Sequence, residues 1–308
     1  VKRVLVPLDG SRVAEGVLPE AMRLAGPGGQ IVLIHDIVSV PPIAPGERTR
    51  EAVALEHSES YLESIASQIR ALGFDVTTET FVRTDAADAI DTAARIWGVD
   101  VIACRTGARS RLSRLVRPSV AWSALAHGKV PVLLQHIDRD PDELKYPESP
   151  AKLLVPLDGS PLAETAIPIA RSLARRWGAH MVLIRVIPAI EDPMGRRQPT
   201  RWSLQDEQEA RRYLAGVAVS LTESTTLVVS SGPVVDTLAA CGEAREVTHV
   251  VLASHGRTGL ARVILGSIAD DLVHRLTIPI VVVPALATVK LPLPKAKQAR
   301  ERQPLPAV

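Results

Sequence analysis

Aromatic side chains are scarce in this 308-residue chain, which has four Trp, three Tyr and two Phe. So thin a supply disfavours a surface that stacks successive bases of a single strand. Charge of one sign is scarce too: 36 Lys and Arg face 34 Asp and Glu, a formal net charge of +2. Dedicated nucleic-acid binders show a marked basic excess instead. Cysteine is limited to Cys104 and Cys241, which form no Cys-x-x-Cys pair and cannot build a disulfide framework. They suit a reduced compartment. The longest apolar stretch, Ile278 to Val289, carries two prolines and closes at Lys290, so it is too short to span a bilayer. No charged-then-apolar leader precedes the first strand pattern, which predicts no signal peptide. These absences predict a soluble cytoplasmic protein with neither a membrane nor a nucleic acid as partner.

What is present is globular. Hydrophobic residues make up 46% and charged residues 23%, enough to bury a core, and the length predicts two domains. An internal repeat says where they lie. Val6-Pro7-Leu8-Asp9-Gly10-Ser11 recurs unchanged as Val155-Pro156-Leu157-Asp158-Gly159-Ser160, and Ala14-Glu15 recurs as Ala163-Glu164 at the same offset of 149. Val32-Leu33-Ile34 returns as Val182-Leu183-Ile184, one residue out of step. A period this long means two copies of a whole domain. The expected division is residues 1–137, a charged, proline-bearing linker at 138–150, residues 151–286, and a flexible basic, Pro-rich tail at 287–308.

Within each copy, short apolar β-branched runs alternate with helical patterns. The first copy places strands at Val4–Leu8, Ile31–Ile37, Val76–Val82, Val99–Cys104 and Val130–Gln135. The second places them at Lys152–Leu157, Met181–Ile187, Thr226–Ser230, His249–Ala253 and Pro279–Pro284. Helices are expected at Pro161–Trp177, Leu204–Leu221, Val234–Arg245 and Ser267–Arg275, the first with Ser160 as N-cap and Pro161 in its first turn. The fold class is α/β: two repeated domains, each a five-stranded parallel, doubly wound, Rossmann-like sheet with helices on both faces. The last strands of the copies are expected to meet, making a pseudo-dimer within one chain; further homodimerisation is also expected.

Ligands of such sheets bind beyond the carboxyl ends of the strands, where strand order reverses. Two segments of the second copy converge there: Pro156-Leu157-Asp158-Gly159-Ser160, and Ala253-Ser254-His255-Gly256-Arg257-Thr258-Gly259, followed by Gly266-Ser267 at a helix start. Gly256 and Gly259 allow close backbone approach. Amides opening the helix at Ser267 and Ile268 lack internal partners and favour an anion, with Arg257 able to add a charge-assisted contact. Other chemistries fail. There is no Gly-x-x-x-x-Gly-Lys-Ser/Thr loop, no Gly-x-Ser-x-Gly elbow and no His-Glu-x-x-His. No residue makes a convincing general base, so any hydrolysis at this site is expected to be slow.

These linked motifs resemble those of the universal stress protein family, in a tandem member; the family is a nucleotide-binding α/β group with an adenine nucleotide α-hydrolase-like fold. Its ATP-binding members carry Gly-x-x-Gly, nine residues, then Gly-Ser or Gly-Thr; here Ala253 stands at the first glycine, with Gly256, Gly266 and Ser267 in register. The resemblance implies ATP, AMP or another adenine nucleotide, accompanied by Mg2+, in the C-terminal copy, which would act as a nucleotide-responsive stress regulator. Pro156, Leu157 and Asp158 would flank the base and Val186 would contact it through its backbone. Ala253 would lie by the ribose, and Gly256, Gly266 and Ser267 would hold phosphate. The first copy departs from the pattern: Cys104 is matched to Ala253, Pro118 precedes Ser119, and Asp36 stands where the second copy has Val186. Its site is therefore expected to be degenerate. An alternative reading is a nucleotide-independent interaction module that uses the arginine-rich loop 105–117, with Arg105, Arg109, Arg111, Arg114 and Arg117; a solvated basic loop is the simpler account of it.

Overall fold

The computed structural model describes residues 2–38, 48–83, 86–106, 130–136, 151–188, 204–254 and 267–285. The first half runs β1 (Arg3–Leu8), α1 (Arg12–Glu15), α2 (Leu18–Ala25), β2 (Gln30–Val38), α3 (Arg48–Ala71), β3 (Asp75–Arg83), α4 (Ala86–Trp97), β4 (Val101–Thr106) and β5 (Val132–His136). The second runs β6 (Lys152–Pro156), α5 (Pro161–Glu164), α6 (Ala166–Trp177), β7 (His180–Pro188), α7 (Leu204–Ala218), β8 (Thr225–Gly232), α8 (Val234–Ala244), β9 (His249–Ser254), α9 (Ser267–Arg275) and β10 (Ile280–Pro284).

All the strands among the described residues join one ten-stranded sheet, in the order β3-β2-β1-β4-β5-β10-β9-β6-β7-β8. Pairing is parallel within each half. Between the halves β5 and β10 pair antiparallel, Leu134 with Ile280, Leu133 with Val281 and Val132 with Val282, so the two last strands do form the join. Central strands are apolar because both faces are covered: Leu153, Leu154 and Val155 are fully buried, as are Val281, Val282 and Val283. On one face the core draws on Met22 of α2, Ile65 and Ile69 of α3, Leu173 of α6 and Leu214 of α7. On the other it draws on Ile90 and Ala93 of α4, Leu238 of α8 and Leu272 of α9.

The structure corrects several expected boundaries. The helix read at Pro161–Trp177 is two helices, parted at Thr165, whose hydroxyl and amide both donate to Leu162 O, at 2.7 and 2.9 Å. The reason is Pro168. It has no N–H to offer the carbonyl of Glu164, four residues back, so a continuous helix cannot form there. Pro19 does the same to Glu15 between α1 and α2. The fourth strand of the first half begins at Val101 rather than Val99, because Val99 N–H still donates to Ala94 O of α4 at 3.2 Å. Asp100 then takes the amides of Lys2 and Arg3 at 2.7 and 3.1 Å. The helix read to Leu221 stops at Ala218. Linker 138–150 and tail 287–308 lie outside the described residues. Among those described, no helix is long and apolar enough to cross a membrane.

Candidate functional site

Strand order reverses between β6 and β9, and between β1 and β4, and the carboxyl ends of these pairs are where an open α/β sheet takes its ligand, in the crevice such a reversal opens. In the second half, β6 ends at Pro156. Leu157 stays buried and donates its amide to Ile184 O at 2.8 Å, which prolongs the pairing with the middle of β7 by one residue. Asp158 follows, exposed. Its Oδ1 accepts the Ser160 amide at 2.8 Å, and Ser160 Oγ accepts the Ala163 amide at 3.1 Å as N-cap of α5. Gly159 bridges the two at φ +83, a conformation that L side chains rarely adopt. Burial raises the Asp158 pKa, but the hydrogen bonds from Ser160 and the charge of Arg185 outweigh it and hold the carboxyl below its usual range.

The other wall is β9, with Ala253 half-buried and Ser254 buried at the strand end. Ser254 O accepts the Ala285 amide at 3.0 Å. Because α9 leads from β9 back to the parallel strand β10, its first residue, Ser267, lies at the carboxyl edge of the sheet. Ile268, next along, is 44% exposed. Val186, in β7 and paired with Ser230, packs toward the α4/α8/α9 face. The structure therefore brings Pro156, Leu157 and Asp158 to one side of the crevice and Ala253 to the other. Gly256, Arg257, Gly259 and Gly266 lie outside the described residues, as do His255, Arg109, Arg111, Arg114, Arg117, Pro118 and Ser119. Asp270 forms an i,i+4 pair with His274 at 3.5 Å, as a helix stabiliser would. Among the described residues, no three His, Cys, Asp or Glu side chains are grouped to hold a metal ion.

A bracket behind Asp158 escaped the sequence reading. The Arg185 guanidinium lies 5.4 Å over the Tyr213 ring, and its Nη1 is 2.6 Å from where a Cβ on Gly159 would stand. Tyr213 in turn donates its hydroxyl to Glu164 at 3.1 Å. Burial and the Glu164 carboxylate push the phenol up to about 12, against the pull of Arg185. The first half repeats the design with His35, whose ring meets Tyr61 edge-on at 5.7 Å, and Tyr61 donates to Glu15 at 3.0 Å. One signal was visible in the sequence: a charge interrupting the apolar run Met181–Ile187.

The first-half crevice is built differently, and here the expected match of Cys104 to Ala253 needs correction. Strand pairing sets Val101 opposite Val4 as His249 stands opposite Leu153, so Cys104 corresponds to Leu252 and Arg105 to Ala253. The faces agree: Cys104 and Leu252 both belong to the α4/α8/α9 face, and Ala253 belongs to the other. A one-residue slip would reverse every side chain. Where the second half has a methyl group, then, the first has a guanidinium. Arg105 donates from Nη1 to Val13 O at 3.2 Å, and a Cβ on Gly16 would collide with it. Cys104 is 3% exposed, and burial pushes its thiol up to about 12, so it supplies no nucleophile.

Comparison with known proteins agrees with this architecture. The sequence model of the universal stress protein family matches residues 1–136 and 151–284. A universal stress protein of Mycolicibacterium smegmatis is 27% identical over 294 residues, covering 91% of this chain and 96% of its own length. One from Mycobacterium tuberculosis is 27% identical over 186 residues, 59% of this chain and 61% of its own. Among solved structures, a universal stress protein from Archaeoglobus fulgidus aligns over 92% of this chain and 98% of its own, with TM-score 0.69 and 19% identity. With both repeats matched and one sheet running through them, the chain belongs to the universal stress protein family, as a tandem member.

Proposed function

We propose that the second half binds an adenine nucleotide, ATP or a close relative, in the crevice between β6 and β9, and that the protein acts as a nucleotide-responsive stress regulator in the cytoplasm. The observation that carries this reading is the exposed, ionised Asp158 on a turn held by Ser160 and Gly159, directly across the strand-order reversal from Ala253. A carboxylate there suits the exocyclic amine of a purine. The opening amides of α9 at Ser267 and Ile268 suit phosphate, with Gly256, Gly266 and Arg257 as further phosphate contacts and Gly259 giving the loop its freedom. Val186 would meet the base through its backbone. The methyl of Ala253 narrows the ribose position without closing it. Mg2+ would enter with the triphosphate, held by phosphate oxygens and water. The first half would stay empty, since the Arg105 guanidinium spans from β4 to the α1–α2 turn.

The test is to denature the purified protein and identify released nucleotide by mass and stoichiometry, with about one per chain expected. About two per chain would overturn the asymmetry between halves. None, together with no rise in melting temperature on adding ATP, would favour the nucleotide-independent interaction module. Gly266→Val should abolish binding while leaving the apo protein folded; unchanged affinity would remove the phosphate assignment.

A further inference from the structure

Among the described residues, the surface on which the two halves meet is asymmetric at two positions related by the repeat. Glu20 of α2 corresponds by the repeat to Ile169 of α6, with Pro19 and Pro168 preceding them and Ala21 and Ala170 following. His249 of β9 corresponds by strand pairing to Val101 of β4. On the polar side, Glu20 Oε2 lies 3.0 Å from His249 Nε2, so the ring donates from Nε2 to the carboxylate. His249 is 2% exposed, and its Nδ1 is 2.9 Å from Thr248 Oγ1. The Trp177 ring packs on this imidazole, centroids 4.8 Å apart, and its indole N–H donates across the join to Arg23 O at 2.8 Å. Arg23 lies 5.9 Å over the same indole and 3.3 Å from Glu20 Oε2. On the other side Ile169 and Val101, 5% and 0% exposed, have no polar side chain to offer. Trp177 has no counterpart, because the shorter α2 ends at Gly26.

We propose that the Glu20–His249 pair is a partner-selecting latch, which makes each first half pair with a second half and refuses pairing of like halves. The β5–β10 join is close to two-fold symmetric about Leu133 and Val281, so its backbone bonds alone would let two first halves from different chains join equally well. In such a pair each Glu20 would be buried against Val101. In a pair of second halves each His249 would be buried against Ile169. A buried carboxylate or imidazole left without its partner is strongly disfavoured, and that penalty falls only on the wrong pairings. Only the mixed pairing gives Glu20 and His249 each other; in the like pairings Glu20 keeps only Arg23 of its own helix and His249 only Thr248 beside it.

A cysteine reporter tests this in the full chain. Joining two first halves would set Leu133 of one chain opposite Leu133 of another, within disulfide reach of an antiparallel pair. The mixed pairing sets it opposite Val281. Leu133→Cys chains are refolded at rising concentration and oxidised, with the native-cysteine chain as control, and disulfide-linked dimer is measured. The latch predicts little dimer with Leu133→Cys alone, and about tenfold or more once Glu20→Ile and His249→Val make both sides apolar. The single change Val101→His gives two first halves matching groups, and it should raise the dimer on its own even where the double change folds poorly. If neither background exceeds the parent, the latch is overturned.

Discussion

Asp158 shows how a handful of neighbours sets the state of one side chain. Its carboxyl sits below the usual range against the upward pull of burial, because Ser160 donates to it and Arg185 stands close by. Replacing Arg185 with Met should therefore move the Asp158 titration midpoint upward, read by carbon NMR of its carboxyl. It should also cost about 0.5–1 kcal/mol through loss of the cation–π contact with Tyr213. A midpoint that stays put would leave the hydrogen bonds from Ser160 and from the Asp158 amide as the cause. Gly159 is required twice over, by its φ of +83 and by the guanidinium 2.6 Å from the Cβ position. Gly159→Ala should destabilise by about 1–2 kcal/mol, while the same change at Gly10, at φ +79 with open space around it, should cost only the backbone part. Equal losses at the two glycines would show that Arg185 yields freely.

Among the elements, α5 is the most dependent on its own local chemistry. Four residues long, it cannot hold itself together by helix propagation. It stands on the Ser160 cap, the first-turn Pro161 and the Tyr213–Glu164 bond from α7. Ser160→Ala removes the cap but keeps the amide that Asp158 accepts; it should cost about 1 kcal/mol, seen as a lower urea midpoint with an unchanged slope. Ser11→Ala should behave alike, since Ser11 Oγ caps α1 through the Ala14 amide at 3.1 Å. Central strands were easy to place because burial on both faces leaves only apolar residues to choose from. Their ends were harder, as at Val99, where the α4 turn claims the amide first.

At the scale of the whole molecule, the joined sheet makes the stability of one half depend on the other. Glu20 is the sensitive point. Burial raises its pKa, yet the hydrogen bond and charge of His249, with Arg23, bring it below the ordinary value of 4.5. A carboxyl depressed in the folded state adds stability above its unfolded pKa and loses it as pH falls through the folded one. Urea midpoints should therefore drop below about pH 4.5, and Glu20→Gln should flatten that part of the profile. At neutral pH the same substitution should cost about 1 kcal/mol, because the amide oxygen of Gln is a weaker acceptor for the His249 Nε2–H than the carboxylate. A profile identical to the parent's would place the acid sensitivity elsewhere.

Composition and pattern determined much of this protein without coordinates. The exact recurrence of Val6–Ser11 at Val155–Ser160 declared two copies, and the alternation of apolar runs with amphipathic stretches declared parallel strands covered by helices, because a period of two or 3.6 is visible along the chain itself. Pro156, Leu157, Asp158 and Ala253 could be singled out for the same reason: they sit at strand ends, and topology carries strand ends to one edge. Only the tertiary structure decided the rest. Arg185, Tyr213 and Glu164 are far apart in sequence and meet only once β7, α7 and α5 are packed. The correspondence of Arg105, not Cys104, to Ala253 rests on strand register, which backbone pairing sets and residue similarity does not. The Glu20–His249 contact joins residues 229 positions apart; no local pattern encodes it, because its two groups become neighbours only when the halves share one sheet.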